Sequence, residues 1–264
     1  IIGYMKKRLI TLFLATSIVM LNLNGQVNTA IKGGEVLKFV ASYNMSGLWT
    51  DLAEVEMQVQ AVKVNNMNLY RLIHTTKTYA QWDSYFKIRD SYQSWVHPTT
   101  LMPYIYKRNI YEGGFALKID YTFKRKSLVA KSVMVKGQDN PITKEVKITG
   151  NTLDLASVVY NARIIDYAKD KINTNHYFTV LVDNELLTIG LRYRGKETIK
   201  VGKYGNKECY IVGVFLKDEK IMKNNPTNTI WFTADANKVP VLIKAVIPVG
   251  SIQIRLTEMA GLRN

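Results

Sequence analysis

The sequence predicts a mainly β protein: a large antiparallel sheet that curls into a barrel-like or two-layer arrangement, with one α-helix at about 153–165 packed against it. Three observations carry this. Apolar and polar residues alternate with period two over long runs, short turns rich in Gly and Asn separate those runs, and only one segment has helical spacing.

In chain order, the first segment reads as a leader. Met5 opens it, Lys6, Lys7 and Arg8 form a positive start, and Leu9 to Leu23 is apolar apart from small or neutral polar residues. Asn24, Gly25 and Gln26 then end the run, which is the anatomy of a secretory signal peptide. The run is shorter than the roughly 20 apolar residues a spanning helix needs. Residues 1–25 are therefore expected to be removed after Gly25, with residues 1–4 upstream of the true start. The mature chain, 26–264, is expected to be a single β-rich domain with no transmembrane span. No cysteine stands at the cleavage point, so the protein is not expected to be a lipoprotein. The one thiol, Cys209, permits no intrachain disulfide and sits in the apolar run "KECYIVGVFL", where a buried inert thiol is expected.

The strands follow. Ala53, Val55, Met57, Val59 and Ala61 alternate with Glu54, Glu56, Gln58 and Gln60. Leu117, Ile119, Tyr121 and Phe123 alternate with Lys118, Asp120, Thr122 and Lys124. Such segments have one dry and one wet face, as antiparallel sheets require. Asn65-Asn66, Gly113-Gly114 and Gly205-Asn206 fall at hairpin spacing between the runs. The pattern amounts to roughly a dozen strands, and a sheet of that size curls, closes or splits.

One segment departs from alternation. In "NTLDLASVVYNARIIDYAKD", Leu155, Val158, Val159 and Ala162 recur at helical spacing, and Thr152 or Asp154 is placed to cap the first turn. Ser157, Tyr160 and Arg163 form a polar row beside that stripe. The row is expected either to face solvent or to rim the mouth of a curved sheet, with Arg163 toward an anionic group.

The closing stretch "NTIWFTADANKVPVLIKAVIPVGSIQIRL" reads as three strands. Pro240 stands near the start of one, where a missing N–H is tolerated. Pro248 and Gly250 mark a bend or bulge before Ile252, Ile254 and Leu256 resume the alternation. Trp231 and Asp235 are the functional candidates here.

Composition limits the function. The chain carries a formal charge of +15, of which +12 remains once the leader's three cations are removed. For an exported protein this points to an envelope lipid, a glycan or an acidic envelope protein as partner, and not to nucleic acid. His74, His97 and His176 are scattered without metal-ligand spacing, and no nucleophile or phosphate-loop motif is present. No catalytic set, metal centre or cofactor is expected, and a monomer is. The aromatic-rich segment from Tyr79 to Tyr111 places Trp82 and Trp95 among Lys87, Arg89, Lys107 and Arg108. It reads as sheet packing or as a surface facing glycan or lipid headgroups.

Four stretches carry a family resemblance: "GEVLKF" from Gly34, "RDSYQSWVHPTTLMP" from Arg89, the helix "DLASVVYNAR" with Asp154, Ser157, Tyr160 and Arg163, and "WFTADANKVPVLIKAVIPVGSIQIRL" from Trp231. In this order they resemble the exported bacterial proteins grouped as domain of unknown function 3108. The resemblance implies an envelope-directed, β-rich domain and brings no activity. Three functional readings follow. The first is a periplasmic binding or carrier module for a lipid or other hydrophobic or anionic envelope component, with Ser157, Tyr160, Arg163, Trp231, Asp235, Trp82 and Trp95 as candidate ligand contacts. The second is a structural or assembly protein acting by contact, and the third a hydrolase of envelope glycans or esters.

Overall fold

The computed structural model describes residues 27–44, 47–217, 228–246 and 250–264. The leader assigned to residues 1–25 and the bend at Pro248 lie outside the described residues. Fourteen strands form one sheet: β1 Val36–Asn44, β2 Trp49–Val64, β3 Met67–Thr78, β4 Arg89–Val96, β5 Pro103–Glu112, β6 Phe115–Lys124, β7 Val129–Lys136, β8 Ile142–Lys147, β9 Asn175–Val182, β10 Glu185–Lys200, β11 Asn206–Leu216, β12 Asn228–Thr233, β13 Pro240–Val246 and β14 Ser251–Ala260. The only α-helix among the described residues, α1, spans Leu155–Arg163.

Two meanders, β1–β8 and β9–β14, join through antiparallel pairing of β1 with β14. The alternation read from the sequence sets the faces. In β6, Leu117, Ile119, Tyr121 and Phe123 are buried, while Lys118, Asp120, Thr122 and Lys124 are exposed. Pro240 is the first residue of β13, as expected. Gly250 adopts φ +88°, and a Cβ there would lie 2.2 Å from the Asn44 carbonyl oxygen, so only glycine fits this approach of β14 to β1.

The sheet curls but does not close. Strands β8 and β9 are its two ends and are not paired with each other. The connection after β8 spans part of the gap: the Ile148 N–H donates to Leu128 O at 2.9 Å, and Leu153 pairs in parallel with Val180. Beside this bridge the seam between the two edges stays open.

Curling corrects one expectation. The sequence places the row Ser157, Tyr160 and Arg163 either at solvent or at the mouth of the curved sheet; instead Ala156, Ser157, Val158, Tyr160, Asn161, Ala162 and Arg163 are all buried. Strands of both meanders surround the helix, and its residues join four hydrophobic clusters: Tyr160 the central one, Ala156 that of β5–β8, Ala162 that around Tyr167, and Val158 one with Leu153 and Val180. The helix is also shorter than 153–165, because Ile164 already caps it. Its polar groups are satisfied internally, as buried polar groups must be. Asp154 caps the N-terminus by accepting from Ala156 N at 3.0 Å and Ser157 N at 2.7 Å. The Ser157 hydroxyl in turn accepts from Asp154 N, completing a capping box.

Candidate ligand-binding seam

Cross-strand register builds a polar row on the concave face. Ser94 of β4 pairs with Tyr106 of β5, Tyr106 with Tyr121 of β6, and Tyr121 with Ser132 of β7. Paired residues point to the same side of a sheet, so four polar side chains lie in line across the inside of the curl. The Tyr106 and Tyr121 rings stack at 5.5 Å between centroids. Ser94 Oγ donates to Asp154 Oδ2 at 2.6 Å, which ties one end of the row to the cap of α1.

The far wall is the β9–β10 turn, where Asp183 and Asn184 take positive φ. Asn184 N donates to the Tyr121 hydroxyl at 3.1 Å, and Arg108 Nη1 donates to Asp183 Oδ1 at 2.8 Å. These two bonds hold the turn of one sheet edge against the concave face of the other meander. Between them and the β7–β8 hairpin lies a cavity of about 510 Å³. Phe115, Leu117, Met134 and Ile142 give it an apolar wall, and Lys136, Lys144 and Asp139 stand around it.

Four polar atoms in this region are sealed from solvent and have no hydrogen-bond partner in the protein: Tyr106 Oη, Arg108 Nε, Ser132 Oγ and Asn184 Oδ1. Leaving such a group unpaired costs about 1–3 kcal/mol. Tyr106 and Ser132 lie on the row, Arg108 follows Tyr106 by two residues on the same face of β5, and Asn184 stands in the facing turn. Arg108 Nε is a pure donor, Asn184 Oδ1 a pure acceptor, and the two hydroxyls are either.

The titratable groups nearby are displaced by burial. Asp154 is pushed up to about 6, first by burial and against the bonds from Ser94, Ser157 and Ala156. Asp90 rises to about 7, through burial and then the charge of Glu112, with the Tyr111 N–H opposing. Burial pushes Tyr121 up to about 12 and Tyr106 further still. Both phenols are therefore neutral hydrogen-bonding groups. No group of three or more His, Cys, Asp or Glu among the described residues is placed to hold a metal ion.

The residues singled out from sequence fall elsewhere, in four places. Arg163 is fully buried, and its anionic partner is internal: Nη1 and Nη2 reach Glu35 Oε1 and Oε2 at 2.5 and 2.8 Å. Its guanidinium also donates to the carbonyls of Asn237 and Lys238 and lies 5.5 Å from the Tyr160 ring centre. Asp235 serves the same centre indirectly. Its Oδ1 accepts from Thr233 Oγ1, Asn237 N and Lys238 N at 2.8–3.0 Å, shaping the turn that aims those carbonyls at Arg163. Ser157 and Tyr160 are buried in the same core, and the Tyr160 hydroxyl donates to Gln58 O at 3.4 Å. Trp231 donates its indole N–H to Glu197 and lies under Lys244. Trp82 donates to Asp51 O from the β3–β4 connection, and Trp95 lies under Arg71 at 5.1 Å. None of the seven lines the seam cavity.

Sequence reasoning missed Tyr106, Arg108, Tyr121, Ser132 and Asn184. Alternation places each on a strand face or turn, but only register and curvature bring them together.

The sequence profile of the family described as "Protein of unknown function (DUF3108)" matches residues 38–257. Among solved structures the chain is similar to a crystal structure of a beta-barrel-like protein of domain of unknown function DUF1849 from Brucella abortus. The TM-score is 0.53 at 10% identity, over 87% of this chain and 98% of that one. At that identity the likeness is one of fold. No curated protein matches.

Proposed function

The chain belongs to the DUF3108 family, and on that premise we propose that it is an exported, envelope-associated binding module that holds a small amphipathic ligand in the open seam of its sheet. The observation that carries this reading is a set of four unpartnered buried polar atoms, of which only Asn184 belongs to the lining of a neighbouring cavity with an apolar wall. A cavity of about 510 Å³ is of ligand size. A hydroxyl-bearing head group supplies both donors and acceptors, matching Tyr106 Oη, Ser132 Oγ, Arg108 Nε and Asn184 Oδ1. An apolar portion packs on Phe115, Leu117, Met134 and Ile142, and Lys136 and Lys144 suit an anionic substituent. The ligand occupies the seam and does not thread the interior, since α1 and its clusters fill the centre of the curl. The leader sequence supports export, and with it an envelope component as the ligand.

Native mass spectrometry of protein recovered from its own envelope tests this. A bound small molecule is expected on the wild type and lost from a Ser132→Val/Asn184→Leu variant. A spectrum of bare protein from both would refute the reading.

An assembly role by protein contact has one observation in its favour. Exposed apolar side chains gather at the end bearing the β1–β2, β3–β4 and β5–β6 connections, among them Tyr85 (81% exposed), Leu48 (78%), Phe86 and Phe115. Crosslinking through position 85 in cells would report one dominant partner if that end is an interface, and a ladder of unrelated products if it is not.

A further inference from the structure

A second cleft lies away from the seam. Strand β10 breaks register with β11 between Tyr193 and Lys196, and Gly195 takes φ +111° there. Beyond this bulge the strands continue as a hairpin whose tip, Gly202–Tyr204, is fastened to β14: Met259 N donates to the Tyr204 hydroxyl at 2.9 Å. Between the tip and strands β1, β13 and β14 is a cleft of about 580 Å³.

Its charge is one-sided. Lys200, Lys203, Lys244 and Arg255 line it, against the single carboxylate of Asp51. That carboxylate is already engaged, accepting from Arg255 Nη2 at 2.9 Å and Ser42 Oγ at 2.6 Å. Elsewhere the surface lysines Lys38, Lys107, Lys124, Lys169 and Lys196 each pair with an acidic side chain. Lys200, Lys203 and Lys244 have no carboxylate partner among the described residues; Lys203 and Lys244 lie instead over the rings of Tyr204 and Trp231. The floor is apolar, because register sets Val40, Arg255 and Leu242 in one row on the same side of the sheet.

We infer that this cleft is a binding site for a phosphate-bearing ligand, with the three unpaired lysines holding the phosphate oxygens and Val40 and Leu242 packing the part of the ligand next to them. Cationic side chains lining one cleft repel each other and are relieved by a multivalent anion. This site shares no residue with the seam.

The test is calorimetric titration of the full chain, at low ionic strength, with inorganic phosphate and with glycerol 3-phosphate. It is paired with cosedimentation on phosphatidylglycerol and phosphatidylcholine vesicles. Saturable binding of at least one phosphate probe is expected, weakened about tenfold or more by Lys200→Glu/Lys244→Glu and unchanged by the seam substitution Asn184→Leu. Binding of the soluble ions assigns the site to free phosphates or phosphorylated small molecules. Binding of phosphatidylglycerol vesicles alone assigns it to a lipid headgroup. No saturable binding of any phosphate probe, equal binding of both vesicle types with none of the ions, or binding that the lysine variants leave unchanged would overturn the inference. Loss of binding in Asn184→Leu but not in the lysine variants would overturn it in favour of the seam.

Discussion

Replacing Arg163 by Met removes the only cation facing a fully buried carboxylate. Both Arg163 and Glu35 have 0% side-chain exposure, and two charged contacts join them. Taking one partner from a buried pair costs about 3–5 kcal/mol, because the other charge stays uncompensated in a medium that solvates it poorly. The carbonyls of Asn237 and Lys238 lose their donor in the same substitution. Against a total stability of about 5–15 kcal/mol for a folded protein, a loss of about 4 kcal/mol is severe. For a chain of this size it lowers Tm by roughly 8–16 °C. Denaturant unfolding read by tyrosine and tryptophan fluorescence measures it, with the midpoint falling at unchanged slope. The double variant Glu35→Leu/Arg163→Met removes both charges and should regain part of the loss, leaving the cost of the two unpaired carbonyls. A loss under about 1 kcal/mol in Arg163→Met, or a double variant whose loss is the sum of the singles, would refute the buried-pair argument.

Asp154→Asn keeps the helix cap, since an amide oxygen accepts from Ala156 N and Ser157 N as the carboxylate does. It also removes a buried charge. Stability at pH 8 should therefore hold or rise, whereas Asp154→Ala should lose about 1–2 kcal/mol; urea midpoints of the two variants separate these outcomes. Asp90 has its folded pKa raised to about 7 from 3.8. Its protonated form is favoured in the native state, so its contribution is full below about pH 4 and is lost as pH rises through about 7. The wild type should be less stable at pH 8 than at pH 5 by on the order of 1–3 kcal/mol from this group, and Asp90→Asn should flatten that difference. Tyr204→Phe unfastens the β10–β11 hairpin from β14. It should speed hydrogen exchange at the Met259 amide while leaving the amides of β6 protected.

Much of the fold is written locally in the chain. The alternation in β2 and β6 sets which side chains go inward. Asn65-Asn66 and Gly113-Gly114 adopt the positive φ that tight hairpins need, and Asp154 announces the helix start. Cys209 is buried, with burial pushing its thiol up to about 11, as its apolar strand implied. What local pattern does not carry is the global curl. Ser157, Tyr160 and Arg163 have the look of a solvent face, yet both meanders cover that side of the helix: His74 and Gln58 meet Tyr160, the carbonyls of Asn237 and Lys238 meet Arg163, and Glu35 meets Arg163 from 128 residues away. The seam is equally hidden. Ser94, Tyr106, Tyr121 and Ser132 are ordinary strand residues until register aligns them and the β9–β10 turn is brought against them.

A high-resolution crystal structure of protein recovered from its own envelope tests the seam most directly. Continuous density for one small molecule is expected in the cavity, hydrogen-bonded to Tyr106 Oη, Ser132 Oγ, Arg108 Nε or Asn184 Oδ1 and packed on Phe115 and Ile142. Separate water peaks satisfying those four atoms, with the apolar wall bare, would contradict it.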